Sequence, residues 1–206
     1  MVVWRKNPNG MKKSLLTLAN QLTISRLILA VIFFILLTVG GSVASFVAFG
    51  VFLLAGITDL LDGYIARKMQ TVSAFGRVAD ALVDKIIICG GFVFLIPKGV
   101  GVQAWMVAVI LCREFLVSAM RSTLESRGVP FGATWPGKLK ALSQNIVILL
   151  ATFGLGMAGT VQLKDYSLKW WWLNTGLMYL AVLLTVYSGL RYAIKTWGLF
   201  KNTSER

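Results

Sequence analysis

"VASFVAFGVFLLAGITDLLD", residues 43–62, runs without a charge until it closes on Asp59 and Asp62. A helix of that length crosses the hydrocarbon core of a bilayer. Comparable apolar runs recur at about 21–39, 78–96, 102–121, 140–160 and 172–192. Breakers separate the runs: Gly40-Gly41, Pro97-Lys98-Gly99, Pro130, Pro136-Gly137 and the polar stretch Gln162 to Lys169. With 57% hydrophobic residues and a mean hydropathy of +0.75, the chain is too apolar for a soluble domain of 206 residues. The expected fold is an all-α integral membrane protein of six transmembrane helices, one domain over 1–206 without internal repeats. Ahead of the first run, "KKSLLTLAN" (12–20) reads as an amphipathic juxtamembrane helix within an N-terminal segment, 1–20.

Lys and Arg set the orientation. The connections after the first, third and fifth runs carry only Lys98, Lys164 and Lys169, whereas the termini and the other connections hold most of the rest. Both termini are therefore expected on the cytoplasmic side of a bacterial-type inner membrane. The formal charge of +13 fits this rule and attraction to anionic lipid better than nucleic-acid binding. Trp170, Trp171 and Trp172 read as an aromatic belt at the opposite interface. Cys89 and Cys112 lie in apolar runs and read as small buried hydrophobes. The chain has no histidine, which excludes histidine bases, nucleophile activators and metal ligands.

Beyond residue 58 the sequence reads "DLLDGYIARKMQTVSAFGRVADALVD" (59–84) and holds Asp59, Asp62, Asp80 and Asp84, half of the eight acidic residues in the chain. The i,i+3 and i,i+4 spacings put each pair on one helix face. The two helices are antiparallel neighbours, so the four carboxylates are expected at one membrane depth. Like charges gathered there repel, and hard oxygen donors suit Mg2+ or Mn2+. Solvated helix-end charges, or partners for Arg67 and Arg77, are the alternative, which four acids at helical spacing in an acid-poor chain disfavour. Gly63, Ala66 and Gly76 leave room for a ligand or for a neighbouring helix, and Arg67 offers a fork suited to phosphate.

Residues 59–84 fit D-x2-D-G-x2-A-R-x8-G-x3-D-x3-D at every fixed position. The segment resembles the signature of the CDP-alcohol phosphotransferases, membrane enzymes with six transmembrane helices that move a phosphoalcohol from a CDP-linked lipid to an acceptor hydroxyl and release CMP. The resemblance implies that Asp59, Asp62, Asp80 and Asp84 hold two divalent cations, with Asp84 also the general base. It places Gly63, Ala66, Arg67 and Gly76 at the CDP-lipid site. "NQLTISR" (20–26) is similar to a stretch before the first helix of many bacterial members, which would put Asn20 and Thr23 at the nucleotide site; helix capping is the competing account.

"CREFLVSAMRS" (112–122) sets Arg113 and Glu114 inside the fourth run, where charges need partners: each other, the metals, or a ligand phosphate. "GKLKALSQ" (137–144) places Lys138 and Lys140 at the start of the fifth run, where they also satisfy the positive-inside rule, and Arg191 ends the sixth. Together these stretches look most like the branch that uses CDP-diacylglycerol and glycerol 3-phosphate, although Ala141 stands where many relatives have threonine. Arg113, Arg121, Lys138 and Arg191 are then the candidate ligands of the acceptor phosphate. Branches using inositol phosphate or serine share the aspartate motif. A homodimer is expected, and the charge pattern argues against a nucleic-acid partner. A cation transporter is the rival from another class, but its acids would lie at mid-membrane depth on several helices. A structural anchor has no use for the four carboxylates.

Overall fold

The apolar runs become six helices: α1 (Leu18–Val39), α2 (Ser42–Met69), α3 (Ala74–Leu95), α4 (Ala104–Ser126), α5 (Trp135–Thr160) and α6 (Lys164–Ser204), with a short 3-10 turn at Ile96–Lys98. The structure is a computed structural model and describes residues 18–69, 74–126, 135–160 and 164–204. Among these residues there is no strand. The proposed juxtamembrane helix lies largely outside the described residues.

Glycine makes the tight connections. Gly40 and Gly41 turn α1 into α2 with φ of 72° and 83°, and Gly99 and Gly101 do the same before α4 with φ of 68° and 80°. Other residues reach this left-handed region only at a cost. At Gly101 there is a second constraint, because an added Cβ would lie 2.0 Å from Thr175 Oγ1.

Successive helices alternate in direction. Early α1 meets late α2 through Arg26 and Asp59. The start of α2 meets the end of α5 where Ser42 donates to the Gly156 carbonyl. Gln144 meets Thr185 and Leu150 meets Trp170, so α5 and α6 are also antiparallel. By contrast α1 runs parallel to α3, joined by Arg26–Asp84 at one end and the stacked Phe34 and Phe94 rings, 5.0 Å apart, at the other. Likewise α4 runs parallel to α6, from Trp105–Tyr179 to Arg113–Ser188. The helix α3 packs on α1, α4 and α5, and the buried core runs through Phe33, Phe92, Met106, Ile110, Ile148 and Met178.

Much of the outer surface is apolar as well. Ile24, Ile28, Val31 and Ile35 form an exposed stripe along α1, with more such side chains on α6. Water would oppose such a surface, whereas lipid accepts it. Among the described residues, three stretches are long and apolar enough to cross a membrane: Ser42–Asp59, Trp135–Ala158 and Leu168–Thr196.

Two expected boundaries move. Pro136-Gly137, read as a loop, belongs to the first turn of α5. Proline is tolerated there because the first backbone N–H groups have no intrahelical partner. Lys164 to Lys169, read as a polar break, is the start of α6. Lysine and leucine are good helix formers, and polarity alone does not end a helix.

Candidate active site

The alternating helices bring their charged ends to one side of the bundle. Asp59 lies on α2 and Asp84 on α3, each with its side chain nearly half exposed, and both face the buried guanidinium of Arg26 on α1. Arg26 Nη1 lies 2.8 Å from Asp59 Oδ1 and 2.6 Å from Asp84 Oδ1. Two carboxylates from different helices therefore share one cationic nitrogen. Arg26 closes the 20–26 stretch quoted above, but the sequence reading gave it no site role and did not foresee its burial. The available signal was a charge inside the first apolar run, which needs a partner at that depth.

Asp62 stands one turn beyond Asp59 on α2, and Asp80 one turn before Asp84 on α3. Gly63, Ala66 and Arg67 lie on α2 and Gly76 on α3. The side chains of these residues and of Asn20 lie outside what the structure describes. Among the described residues no group of three or more His, Cys, Asp or Glu side chains comes together. Thr23 is buried on α1, one turn before Arg26.

A cavity of about 480 Å³ opens beside the carboxylates. Its described wall carries Asp59, Asp84 and Glu114 against Arg26, Lys85, Arg113, Arg121, Lys138 and Lys140. The surplus of positive charge suits an anionic ligand. Not all of that charge is available, however. Glu114 Oε1 accepts from Arg113 Nη1 at 3.0 Å and also from Lys140 Nζ, while Arg113 Nη2 donates to Ser188 Oγ at 2.8 Å. This network ties α4 to α5 and α6. Lys140, whose default reading was a positive-inside residue, is buried within it. Lys85 donates to Ser118. Arg121 and Lys138 are exposed at the cavity and make no ion pair among the described residues.

Of the four expected acceptor ligands, the cavity brings Arg113, Arg121 and Lys138 together but not Arg191. Arg191 is exposed, with its guanidinium 5.9 Å from the centre of the Tyr187 ring. One residue further round the helix, Tyr192 is buried and lines the cavity instead.

This arrangement can seat an anion against a cationic wall beside a pair of carboxylates, the layout a phosphoryl-transfer site requires. The sequence profile of the CDP-alcohol phosphatidyltransferases matches residues 16–187. The chain belongs to that family. It is 32% identical over 199 residues to the CDP-diacylglycerol–glycerol-3-phosphate 3-phosphatidyltransferase of Bacillus subtilis (strain 168), covering 91% of this chain and 98% of the relative. It is 34% identical over 181 residues to the probable phosphatidylglycerophosphate synthase of Mycobacterium tuberculosis (strain ATCC 25618 / H37Rv), covering 86% and 80%. It is 31% identical over 182 residues to the CDP-diacylglycerol–glycerol-3-phosphate 3-phosphatidyltransferase of Rickettsia typhi (strain ATCC VR-144 / Wilmington), covering 87% and 98%.

Proposed function

We propose that this chain transfers the phosphatidyl group of CDP-diacylglycerol to glycerol 3-phosphate, giving phosphatidylglycerol phosphate and CMP. The observation that carries the reading is the meeting of Asp59 and Asp84 at a cavity rich in cationic side chains, with Arg121 and Lys138 in no ion pair among the described residues. Relatives named for this reaction match most of the chain and support the choice of acceptor.

In the reaction, the free hydroxyl of glycerol 3-phosphate attacks the phosphorus bonded to diacylglycerol. The new P–O bond forms as the bond to the CMP oxygen breaks, and CMP leaves with that electron pair. Asp84, on the cavity wall, takes the hydroxyl proton. Arg121 and Lys138 hold the acceptor phosphate, which fixes the hydroxyl towards the carboxylates. Arg113 lines the same wall but is held by Glu114 and Ser188, so it shapes the pocket and adds charge.

The carboxylates fit divalent cations. Asp59 and Asp84 present hard oxygens that already converge on a positive charge, and the family pattern adds Asp62 and Asp80 on the same helices. Mg2+ or Mn2+ held by these four residues would neutralise the diphosphate and stabilise the leaving CMP. Gly63, Ala66, Arg67 and Gly76, with Asn20 and Thr23, form the CDP-lipid site in this reading. The reading also carries six membrane spans, both termini and the site on the cytoplasmic face of an inner membrane, and a homodimer.

An acceptor panel with the purified protein tests it. CMP release from CDP-diacylglycerol should be fastest with glycerol 3-phosphate. A preference for serine or inositol phosphate refutes the acceptor, and no CMP release with any acceptor refutes the reaction.

A further inference from the structure

We infer that Arg26 is a positioning residue that acts as a built-in counter-cation for Asp59 and Asp84, competing with a divalent ion for their Oδ1 atoms. The inference rests on the proposed metal role of those two aspartates.

Arg26 is only 2% exposed, whereas its partners' side chains are 48% and 45% exposed. The guanidinium is thus anchored within the protein, and the carboxylates meet the cavity in front of it. Both contacts use the same nitrogen, so the two Oδ1 atoms can be no further apart than the two contact distances laid end to end. At such a separation the carboxylates repel unless a cation stands between them. Arg26 supplies that cation from α1 and joins the three helices whose ends build the acidic site.

The charge balance gives the inference its direction. The guanidinium cancels part of the negative charge that the aspartates offer a divalent ion. A divalent ion entering this site meets the positive charge of the guanidinium at contact distance from its ligands. It also draws on the two carboxylates that the guanidinium already contacts. Arg26 therefore keeps the site assembled between metal-binding events and weakens metal binding as a consequence. A purely structural tie between helices predicts the opposite, because its removal loosens the carboxylates and lowers affinity.

Mn2+ titration of the full-length protein in detergent, followed by the electron-spin resonance of free Mn2+, separates the two. Wild type is compared with Arg26→Gln, Arg26→Lys and Asp59→Asn. Arg26→Gln should bind Mn2+ about tenfold more tightly, since it removes a unit charge within contact distance of the ligands. Arg26→Lys keeps the charge on a shorter stem without the fork, and should tighten binding by a few-fold. The thermal stabilisation gained on adding Mn2+ should be larger in both variants than in wild type. If Arg26→Gln does not fold, Arg26→Lys decides by the same criterion. Binding no tighter than wild type, with Asp59→Asn still weakening it, overturns this inference alone. If wild type binds no Mn2+, or Asp59→Asn leaves binding unchanged, the metal role falls and this inference with it.

Discussion

Lys140 and Arg113 both reach Glu114, so one carboxylate balances two buried or half-buried cations. Removing a single partner from such a network leaves charge with no compensation. Glu114→Gln should therefore destabilise the protein by about 3–5 kcal/mol, read as a loss of thermal stability in detergent. Pairing it with Lys140→Met should restore part of that loss, and additive losses would show that the two side chains are not coupled. Arg121 and Lys138 behave differently because neither is committed to an ion pair among the described residues. Arg121→Ala and Lys138→Ala should each raise the KM for glycerol 3-phosphate by roughly tenfold or more, the loss of one charge-assisted contact. The KM for CDP-diacylglycerol should hardly move. A change confined to CDP-diacylglycerol would put the acceptor pocket elsewhere. At this scale the sequence was uneven. Asp59 and Asp84 stood out because acids are scarce in the chain, and Arg113–Glu114 because charges inside an apolar run need partners. Arg26 met the same criterion but was hidden in a stretch read as a helix start. Lys140 was hidden by its position, since a lysine at the expected cytoplasmic end of a span already has an ordinary explanation. Arg191 does not line the cavity, because the end of a run fixes depth and not the side of the helix.

The elements are positioned at the opposite end of the bundle from the cavity. Gly99 and Gly101 both take a positive φ, but an added Cβ meets nothing within 4 Å at Gly99 and lies 2.0 Å from Thr175 Oγ1 at Gly101. Gly99→Ala should cost only the backbone penalty, about 1–2 kcal/mol. Gly101→Ala adds overpacking of roughly 1–3 kcal/mol and should lower the melting temperature clearly more. Thermal unfolding of the two variants checks this, and equal losses would contradict the close α4–α6 approach. The helices were legible as apolar runs because that signal is strong and long. Their ends were less so: Pro136 in a first turn and Lys164 in a helical turn obey rules of capping and propensity that a hydropathy break does not register.

Across the whole molecule, the alternating helices gather the described ion pairs at one end of the bundle, which the proposed orientation puts on the cytoplasmic side. The connection at Gly99 should lie on the opposite side of the membrane from the termini. In a background with Cys89 and Cys112 replaced by alanine, Gly99→Cys should react with an impermeant maleimide from outside intact cells, while a cysteine at the C-terminus should not. The reverse pattern would invert the topology and place the cavity on the wrong face for a cytoplasmic nucleotide substrate. What the sequence could not specify was the neighbour order, with α3 against α1, α4 and α5. Helices apolar on every face carry little record of which side meets protein and which meets lipid.

The central claim is phosphatidyl transfer to glycerol 3-phosphate by the carboxylates of this cavity. Its most direct test is the rate of CMP release from CDP-diacylglycerol, measured for wild type and for Asp84→Asn, each with saturating glycerol 3-phosphate and with Mg2+ or excess EDTA. The account predicts release by wild type with metal, none in EDTA, and none from Asp84→Asn even though that variant still binds CDP-diacylglycerol. Near-normal turnover by Asp84→Asn, or undiminished release in EDTA, would contradict it.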